Sequence, residues 1–165
     1  MRGLARARRT GRKPPGLQLQ VRRRARGWSP SKRELSDWAS LALGRRAAGS
    51  ELAVSVVGAP ESRRLNARYR GRDYATNVLS FPAPLLPRGA QVRALGDLVI
   101  CARLLRTEAR AQAKTLRAHW AHLIVHGALH LIGYDHERAA DARRMQRREI
   151  AVLRRLGFAN PYRSS

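Results

Sequence analysis

Residues 119–136 read HWAHLIVHGALHLIGYDH and contain all five histidines of the 165-residue chain. At about 100° per residue, His119, His122, His126 and His130 fall at about 0°, 300°, 340° and 20° around a helix, so they form one stripe. The other residues of this helix are mostly apolar, which predicts that the helix is buried. Because uncompensated imidazoles are costly in a core, the stretch predicts both the centre of the fold and a site built from histidines.

The turn after this helix selects three histidines as ligands of one metal ion. His126 and His130, four residues apart, project side by side from one helix face. Gly133 stands where a helix ends in a left-handed residue, so the chain is expected to reverse there and return His136 to the same place. Three neutral imidazoles suit zinc and leave a fourth position for water, which is typical of a catalytic site. We therefore expect one Zn²⁺ per chain at the end of a buried helix.

The remaining polar residues of the stretch leave alternatives open. His119 and His122 are interpreted as hydrogen-bonded residues, with the lining of a cleft or support of a ligand as the alternative. Asp135 either orients an imidazole or serves only as a turn residue. The metalloprotease signature HExxH has a glutamate base directly after its first histidine, and Gly127 occupies that position here. Hydrolysis of peptides is therefore disfavoured, although a metallopeptidase-like hydrolase stays open as an alternative.

Apolar patterning on both sides of the histidine stretch predicts an α+β fold. The pattern predicts four strands, at 17–21, 52–57, 78–81 and 95–101, the last of them central because it is nearly all apolar. It also predicts five helices: one opened by the capping box of Ser31 and Glu34, and others at 60–69, 102–112, 116–131 and 138–156. Strands first and helices later favour a small, mostly four-stranded sheet packed with about five helices.

The charge of the chain indicates contact with polyanions. It has 34 Lys and Arg against 11 Asp and Glu, and 34 − 11 gives a formal charge of +23. Residues 1–27 hold ten of the cations and no acid, so the other 138 residues still carry 24 − 11, or +13. Such a field favours RNA, DNA or the ribosome as a partner. A compositional bias toward arginine is the alternative explanation.

The composition also bears on the domain organisation of the chain and on its cellular compartment. Residues 1–15 are expected to form a flexible basic arm before a single domain at 16–165. The arm lacks the apolar core of a secretory signal, and organellar targeting or a mis-assigned start codon are alternatives. No stretch approaches the roughly 18 apolar residues of a membrane helix, so no membrane partner is expected. A single cysteine, Cys101, excludes a disulfide framework.

Three ordered blocks of the sequence carry a resemblance to a known family. They are HGALHLIGYDH at 126–136, YRGRD at 69–73 running into TNVLSFP at 76–82, and LGDLVIC at 95–101. Together they resemble the bacterial YbeY family of zinc-dependent endoribonucleases, whose metal motif is HGxLHLxGYDH. The resemblance covers about residues 17–162, and the basic arm is the departure from the family's pattern.

The resemblance implies a single-strand-specific endoribonuclease that matures ribosomal RNA, in particular the 3′ end of 16S rRNA, and acts in ribosome quality control. It implies zinc ligands at His126, His130 and His136, a catalytic role that includes His126, and a functional arginine at Arg70. The implied partners are rRNA and the small ribosomal subunit, a ribosomal protein and an assembly GTPase, in the bacterial cytoplasm. A non-catalytic RNA-binding assembly factor with a structural zinc is the alternative, which the open fourth coordination position disfavours.

Arg70 also fits on chemical grounds. Phosphodiester cleavage needs a cation opposite the metal, and a guanidinium offers paired donors that match phosphate oxygens. Arg68 and Arg72 are expected to follow the RNA backbone instead. Three polar residues at strand ends and turns either position substrate or are structural: Asn77, Ser80 and Asp97.

Overall fold

A computed structural model describes residues 16–84 and 92–163 of the chain, and the expected basic arm at 1–15 lies outside them. Four strands form one sheet: β1 (Gln18–Arg23), β2 (Ser50–Val57), β3 (Val78–Pro82) and β4 (Arg93–Cys101). Their order is β1-β2-β4-β3, which places the apolar β4 inside the sheet as expected. The first three strands in that order are parallel, and β3 runs antiparallel to β4 at the edge.

Within the described residues, five α-helices surround this sheet: α1 (Lys32–Leu43), α2 (Ala59–Arg70), α3 (Ala102–Ala111), α4 (Leu116–Leu131) and α5 (Ala139–Arg155). The predicted α+β class, with four strands and five helices, is confirmed. The capping box that opens α1 is also present, since Ser31 Oγ accepts from the Glu34 backbone N–H and the Glu34 carboxylate accepts from the Ser31 N–H. None of these helices has the length and apolar character that crossing a bilayer requires.

The two faces of the sheet are covered by different helices because side chains alternate along each strand. Leu52 and Leu98 belong to the main core, which includes buried residues of α1 and α4. Val57 and Val99 point to the opposite face, where Leu65 of α2 packs against them. α4 also contacts α3, α5, β3 and β4. The histidine helix therefore lies at the centre of the molecule.

The exit from α4 is a tight reversal. Gly133 has a φ of +96°, in the left-handed region that a side chain would disfavour. The backbone N–H of Gly133 donates to His130 O, and that of Tyr134 donates to Leu129 O, at 3.0 and 3.1 Å. These bonds satisfy carbonyl groups of the last helical turn. The reversal predicted at Gly133 is confirmed, and it carries His136 back toward the end of the helix.

Candidate functional site

Three imidazoles meet at the C-terminal end of α4. His126 Nε2 and His136 Nδ1 each lie 3.1 Å from His130 Nε2, and the three ring nitrogens lie within 4.8 Å of one another. A tetrahedral zinc ion with Zn–N distances of about 2.0–2.1 Å spaces its ligand nitrogens about 3.3 Å apart. The donor type and the spacing of the three rings therefore fit one small divalent ion.

His130 is oriented by the turn that follows it. Its Nδ1 donates to the backbone oxygen of Tyr134 at 2.9 Å. Since a carbonyl oxygen only accepts, Nδ1 carries the hydrogen and Nε2 turns its lone pair toward the other two rings. Burial, and then the neighbouring His126 and His136, lower the pKa of His130. This favours the neutral ring, which is the form that binds a metal.

A buried carboxylate stands behind His126. Glu149 of α5 has a side chain that is 0% exposed, and its Oε1 lies 2.5 Å from His126 Nδ1. The hydroxyl of Tyr162 donates to the other carboxylate oxygen, which His122 Nε2 approaches to 3.8 Å. Burial by itself raises the pKa of Glu149, but the neighbouring His122, His126 and Tyr162 outweigh it and lower the pKa to about 2. The carboxylate is therefore ionised at neutral pH.

The imidazoles open into a cleft of about 610 Å³ that is also lined by arginine. Arg70, the last residue of α2, lines this cleft, and its Nη2 donates to Ser80 O at 2.9 Å. That bond uses one of the five N–H donors of the guanidinium, so the exposed group keeps donors for a ligand. Arg72 and Asn77 line the same cleft. The structure thus brings the three imidazoles and Arg70 together around one cavity, whose lining also includes Asp135 and Glu137.

Other residues singled out from the sequence lie outside the imidazole cluster, although Asn77 and Asp135 line the cleft. His119 Nε2 lies 2.7 Å from Glu108 Oε2 and outside the imidazole cluster. Asn77 donates to the same Glu108 carboxylate, so it joins α3 to the start of β3. Asp135 lines the cleft and accepts from the backbone N–H of His136 at 2.6 Å, which is the bond of a turn residue. Asp97 is exposed on β4 and does not line the cleft.

Gly127 packs directly on the sheet. A Cβ at this position would lie 2.8 Å from Leu98 Cδ2 and 3.4 Å from Ser80 Oγ. The position at which metalloproteases carry their glutamate base therefore has no room for that side chain unless Leu98 moves. This packing agrees with the expectation that peptide hydrolysis is disfavoured.

Sequence reasoning missed Glu149 and Tyr162. Glu149 occurs in a helix rich in arginine, where an acid is expected to pair with a neighbour at the surface. The signal that could have found it is its register, because Glu149 lies four residues after Met145 and four before Leu153, both buried in the core. An acid on the apolar face of a helix requires a partner inside the protein.

The fold and the site together define a class of protein: an α+β domain in which three converging imidazoles, able to hold a metal ion, face an arginine-lined cleft. Residues 28–157 match the family described as Endoribonuclease YbeY, and the chain belongs to that family. The proteins named Endoribonuclease YbeY from Stutzerimonas stutzeri and Pseudomonas putida are each 45% identical to this chain over 146 residues. These alignments cover 88% of this chain and 91% and 93% of the two relatives.

A solved structure supports the fold independently. A protein of Thermotoga maritima, whose structure was determined in solution, matches with a TM-score of 0.53 at 21% identity. The match covers 88% of this chain and 99% of that protein. The predicted family is confirmed, and membership makes the chain an enzyme, a hydrolase that acts on RNA. The family is metal-dependent, and the imidazole cluster offers a place for the ion.

Proposed function

We propose that the chain is a zinc-dependent endoribonuclease that cleaves single-stranded segments of ribosomal RNA. In this proposal His126, His130 and His136 hold one Zn²⁺, and Arg70 stabilises the phosphoryl group under attack. One observation carries the proposal: the three converging ring nitrogens and the Arg70 guanidinium share a single cleft. The family name supports the reaction, and the charge of +23 supports a polyanionic substrate.

The donor set suits catalysis at neutral pH. His126, His130 and His136 would hold the ion, which would supply Lewis acidity by lowering the pKa of a water molecule from about 16 to about 7 and by polarising a phosphoryl oxygen. The protein itself orients the histidines that would bind the ion. The Nδ1 bonds of His126 and His130, to Glu149 and to the Tyr134 carbonyl, hold the two helix ligands in orientation.

Arg70 supplies positive charge where the reaction develops negative charge. Its bond to the Ser80 carbonyl holds the guanidinium in the lining of the cleft. The remaining N–H donors match the spacing of phosphate oxygens, so they can bind two oxygens at once. Such a contact becomes stronger as charge accumulates around the phosphorus in the transition state, which accelerates cleavage.

We further propose a setting in ribosome maturation. The substrate would be 16S rRNA, at its 3′ end and during quality control, with the small subunit, a ribosomal protein and an assembly GTPase as partners. The bacterial relatives support a cytoplasmic location. The proposal predicts that RNA ending in the unprocessed 16S 3′ region is cleaved faster than an unrelated single strand of equal length.

The test measures cleavage of that labelled RNA, with casein as the peptide substrate, in the presence and absence of a chelator. We expect RNA cleavage that the chelator stops and added zinc restores, and no cleavage of casein. The variant His126→Ala should be inactive, and Arg70→Ala should be slower by about 10²–10³-fold. Arg68→Ala is the matched control, since Arg68, which the sequence suggested would follow the RNA backbone, is exposed on the same helix turn but does not line the cleft. RNA cleavage that survives the chelator or the loss of His126 would contradict the proposal.

A further inference from the structure

Glu149 is the one fully buried carboxylate among residues 16–84 and 92–163. The neighbouring Met145, Val152 and Leu153 of α5 belong to the apolar core. Removing a carboxylate from water costs several kcal/mol unless its oxygens are hydrogen-bonded or paired. An apolar residue would pack here at a lower cost, so the carboxylate is expected to have a specific role.

Both oxygens of this carboxylate are occupied. Oε1 accepts from His126 Nδ1, and Oε2 accepts from the hydroxyl of Tyr162. Because a carboxylate only accepts, the ring of His126 must carry its hydrogen on Nδ1. The opposite nitrogen, Nε2, is then unprotonated, and it is this atom that lies 3.1 Å from His130 Nε2. The contact with Glu149 thus selects the ring nitrogen that faces the imidazole cluster.

Tyr162 comes from the segment that follows α5, and several contacts anchor this segment. The Phe158 ring packs edge-on against Trp38, with centroids 5.8 Å apart. The Lys114 ammonium donates to the backbone oxygen of Pro161 at 2.5 Å. The Tyr162 ring itself lies edge-on to His122, at 5.4 Å between centroids. The segment after α5 therefore holds Tyr162 in a defined position against His122 and Glu149.

A second histidine of α4, His119, pairs with Glu108 of α3, and this pair serves as an internal comparison. His119 Nε2 lies 2.7 Å from Glu108 Oε2, and the His119 side chain is 4% exposed. This pair has the same chemistry as the His126–Glu149 pair but a different burial, since its glutamate is 31% exposed whereas Glu149 is 0% exposed and the His126 imidazole is 25% exposed. Its histidine does not belong to the converging trio. A comparison of variants in the two pairs therefore distinguishes a general contribution to stability from a specific contribution to the proposed metal site.

We infer that Glu149, held in place by Tyr162 of the C-terminal segment, is the positioning residue of the metal centre, because it fixes the tautomer and orientation of His126. This inference rests on the proposed three-histidine metal site. Carboxylates that accept from a ligating histidine raise the basicity of the ring and restrict its rotation. The C-terminal segment is then a component of the metal centre and not only a cover for the core.

The experiment measures zinc and cobalt affinity of the full chain by competition with a chromophoric chelator. The variants are Glu149→Gln, Tyr162→Phe and the matched control Glu108→Gln. We expect Glu149→Gln to weaken zinc binding by about 10–100-fold and Tyr162→Phe by up to about tenfold. The control should bind within about twofold of the original chain. The cobalt absorption spectrum should change in Glu149→Gln at saturating cobalt, because the geometry of one ligand relaxes.

Circular dichroism and thermal unfolding in excess chelator check that each variant folds. Equal zinc affinity in Glu149→Gln and the original chain would overturn the inference and leave the proposed metal site intact. Equal losses in Glu149→Gln and Glu108→Gln would also overturn it, since they would reveal a general effect on stability. A second bound equivalent of zinc that disappears in Glu149→Gln would make Glu149 a ligand, with His122 and His126, instead of a positioning residue. No binding of zinc or cobalt by the original chain would overturn the proposed metal site as well.

Discussion

At the scale of single residues, His130 is the middle member of the imidazole cluster. Its Nε2 is the atom from which both 3.1 Å distances, to His126 and to His136, are measured. Its own Nδ1 is bound to the Tyr134 carbonyl within the same turn. A change at this residue therefore removes one proposed ligand and releases the turn that carries His136, another proposed ligand.

We predict that His130→Ala weakens zinc binding by at least about 100-fold, more than the loss of a residue behind a ligand. Zinc should then fail to raise the unfolding temperature of the variant, because the ion stabilises only a folded state that binds it. Chelator competition and thermal unfolding with and without zinc measure both effects. His119→Gln is the control, since it keeps a donor for Glu108 and removes an imidazole outside the trio. Unchanged zinc content in His130→Ala would show that the ligand set is wrong.

A second residue-scale prediction concerns Gly127. The variant Gly127→Glu recreates the HExxH signature but forces a side chain against Leu98, which is 0% exposed. We expect the free energy of unfolding to fall by about 1–3 kcal/mol from overpacking, with a further loss from the buried carboxylate. Urea denaturation measures the change. Gly127→Ala should lose less, because the gain of about 1 kcal/mol in helix propensity offsets part of the contact. A Gly127→Glu protein of full stability that cleaves casein would contradict this reading of the site.

The imidazole trio could be predicted because its members are close in sequence. Two of them are related by one turn of helix, and a single left-handed glycine determines where the third returns. Glu149 and Tyr162 could not be predicted by the same means, because they approach His126 only through the packing of α5 and the tail on α4. Contacts between distant segments depend on tertiary structure, which periodicity does not report.

At the scale of elements, α1 and α4 are joined at their N-terminal ends by one acid. Glu34 closes the capping box with Ser31, and its Oε1 also accepts from Arg117 Nε at 2.8 Å. The bond from Arg117, followed by those from Ser31, lowers the pKa of Glu34. A folded-state pKa below the unfolded value of about 4.3 stabilises the protein above that pH. The stabilisation is lost as the pH falls through the folded value.

We predict that Glu34→Ala lowers the free energy of unfolding by about 1–2 kcal/mol at pH 7, from the loss of the carboxylate half of the capping box and of the ion pair with Arg117. The difference from the original chain should shrink as the pH falls through the lowered pKa of Glu34 in the folded protein, where the original carboxylate becomes protonated. Urea unfolding between pH 3 and 7 measures it. Asp37→Ala is the control on the same helix, since Asp37 is 65% exposed and its pairing distance to Arg33 is 3.9 Å. A difference that stays constant with pH would rule out the charged contact as its source.

The elements themselves were predictable to within a few residues, but the arrangement of the sheet was not. Alternation and apolar runs are local signals, and they locate each strand. The order β1-β2-β4-β3, with β3 antiparallel at the edge, depends on pairing between strands that are far apart in sequence. Only the inner position of β4 followed from its composition, because a strand covered on both faces is apolar throughout.

At the scale of the whole molecule, the position of each arginine relative to the cleft determines which of them can contact RNA bound there. The imidazole cluster lies at the last turns of α4, and Arg70 and Arg72 line the cleft that it opens into. Arg33 belongs to α1, beside the Glu34 carboxylate that contacts the first turn of α4. A strand of RNA in the cleft would therefore meet Arg72 and not Arg33. If RNA were attracted only by the overall positive charge of the protein, Arg72 and Arg33 would both contribute to binding.

Salt dependence separates these two possibilities. Each phosphate of a single strand that a cation neutralises contributes about −0.7 to the slope of log K against log salt concentration. We predict a steep negative slope for binding of single-stranded RNA to the intact chain, and a slope shallower by about 0.7 for Arg72→Ala. Arg33→Ala, which removes the same charge from a side chain that is 92% exposed, should keep the original slope. Fluorescence anisotropy between about 50 and 300 mM salt, with the chelator present to prevent cleavage, measures all three. An equal decrease in both variants would mean that the RNA follows the overall field of the protein and has no preferred path through the cleft.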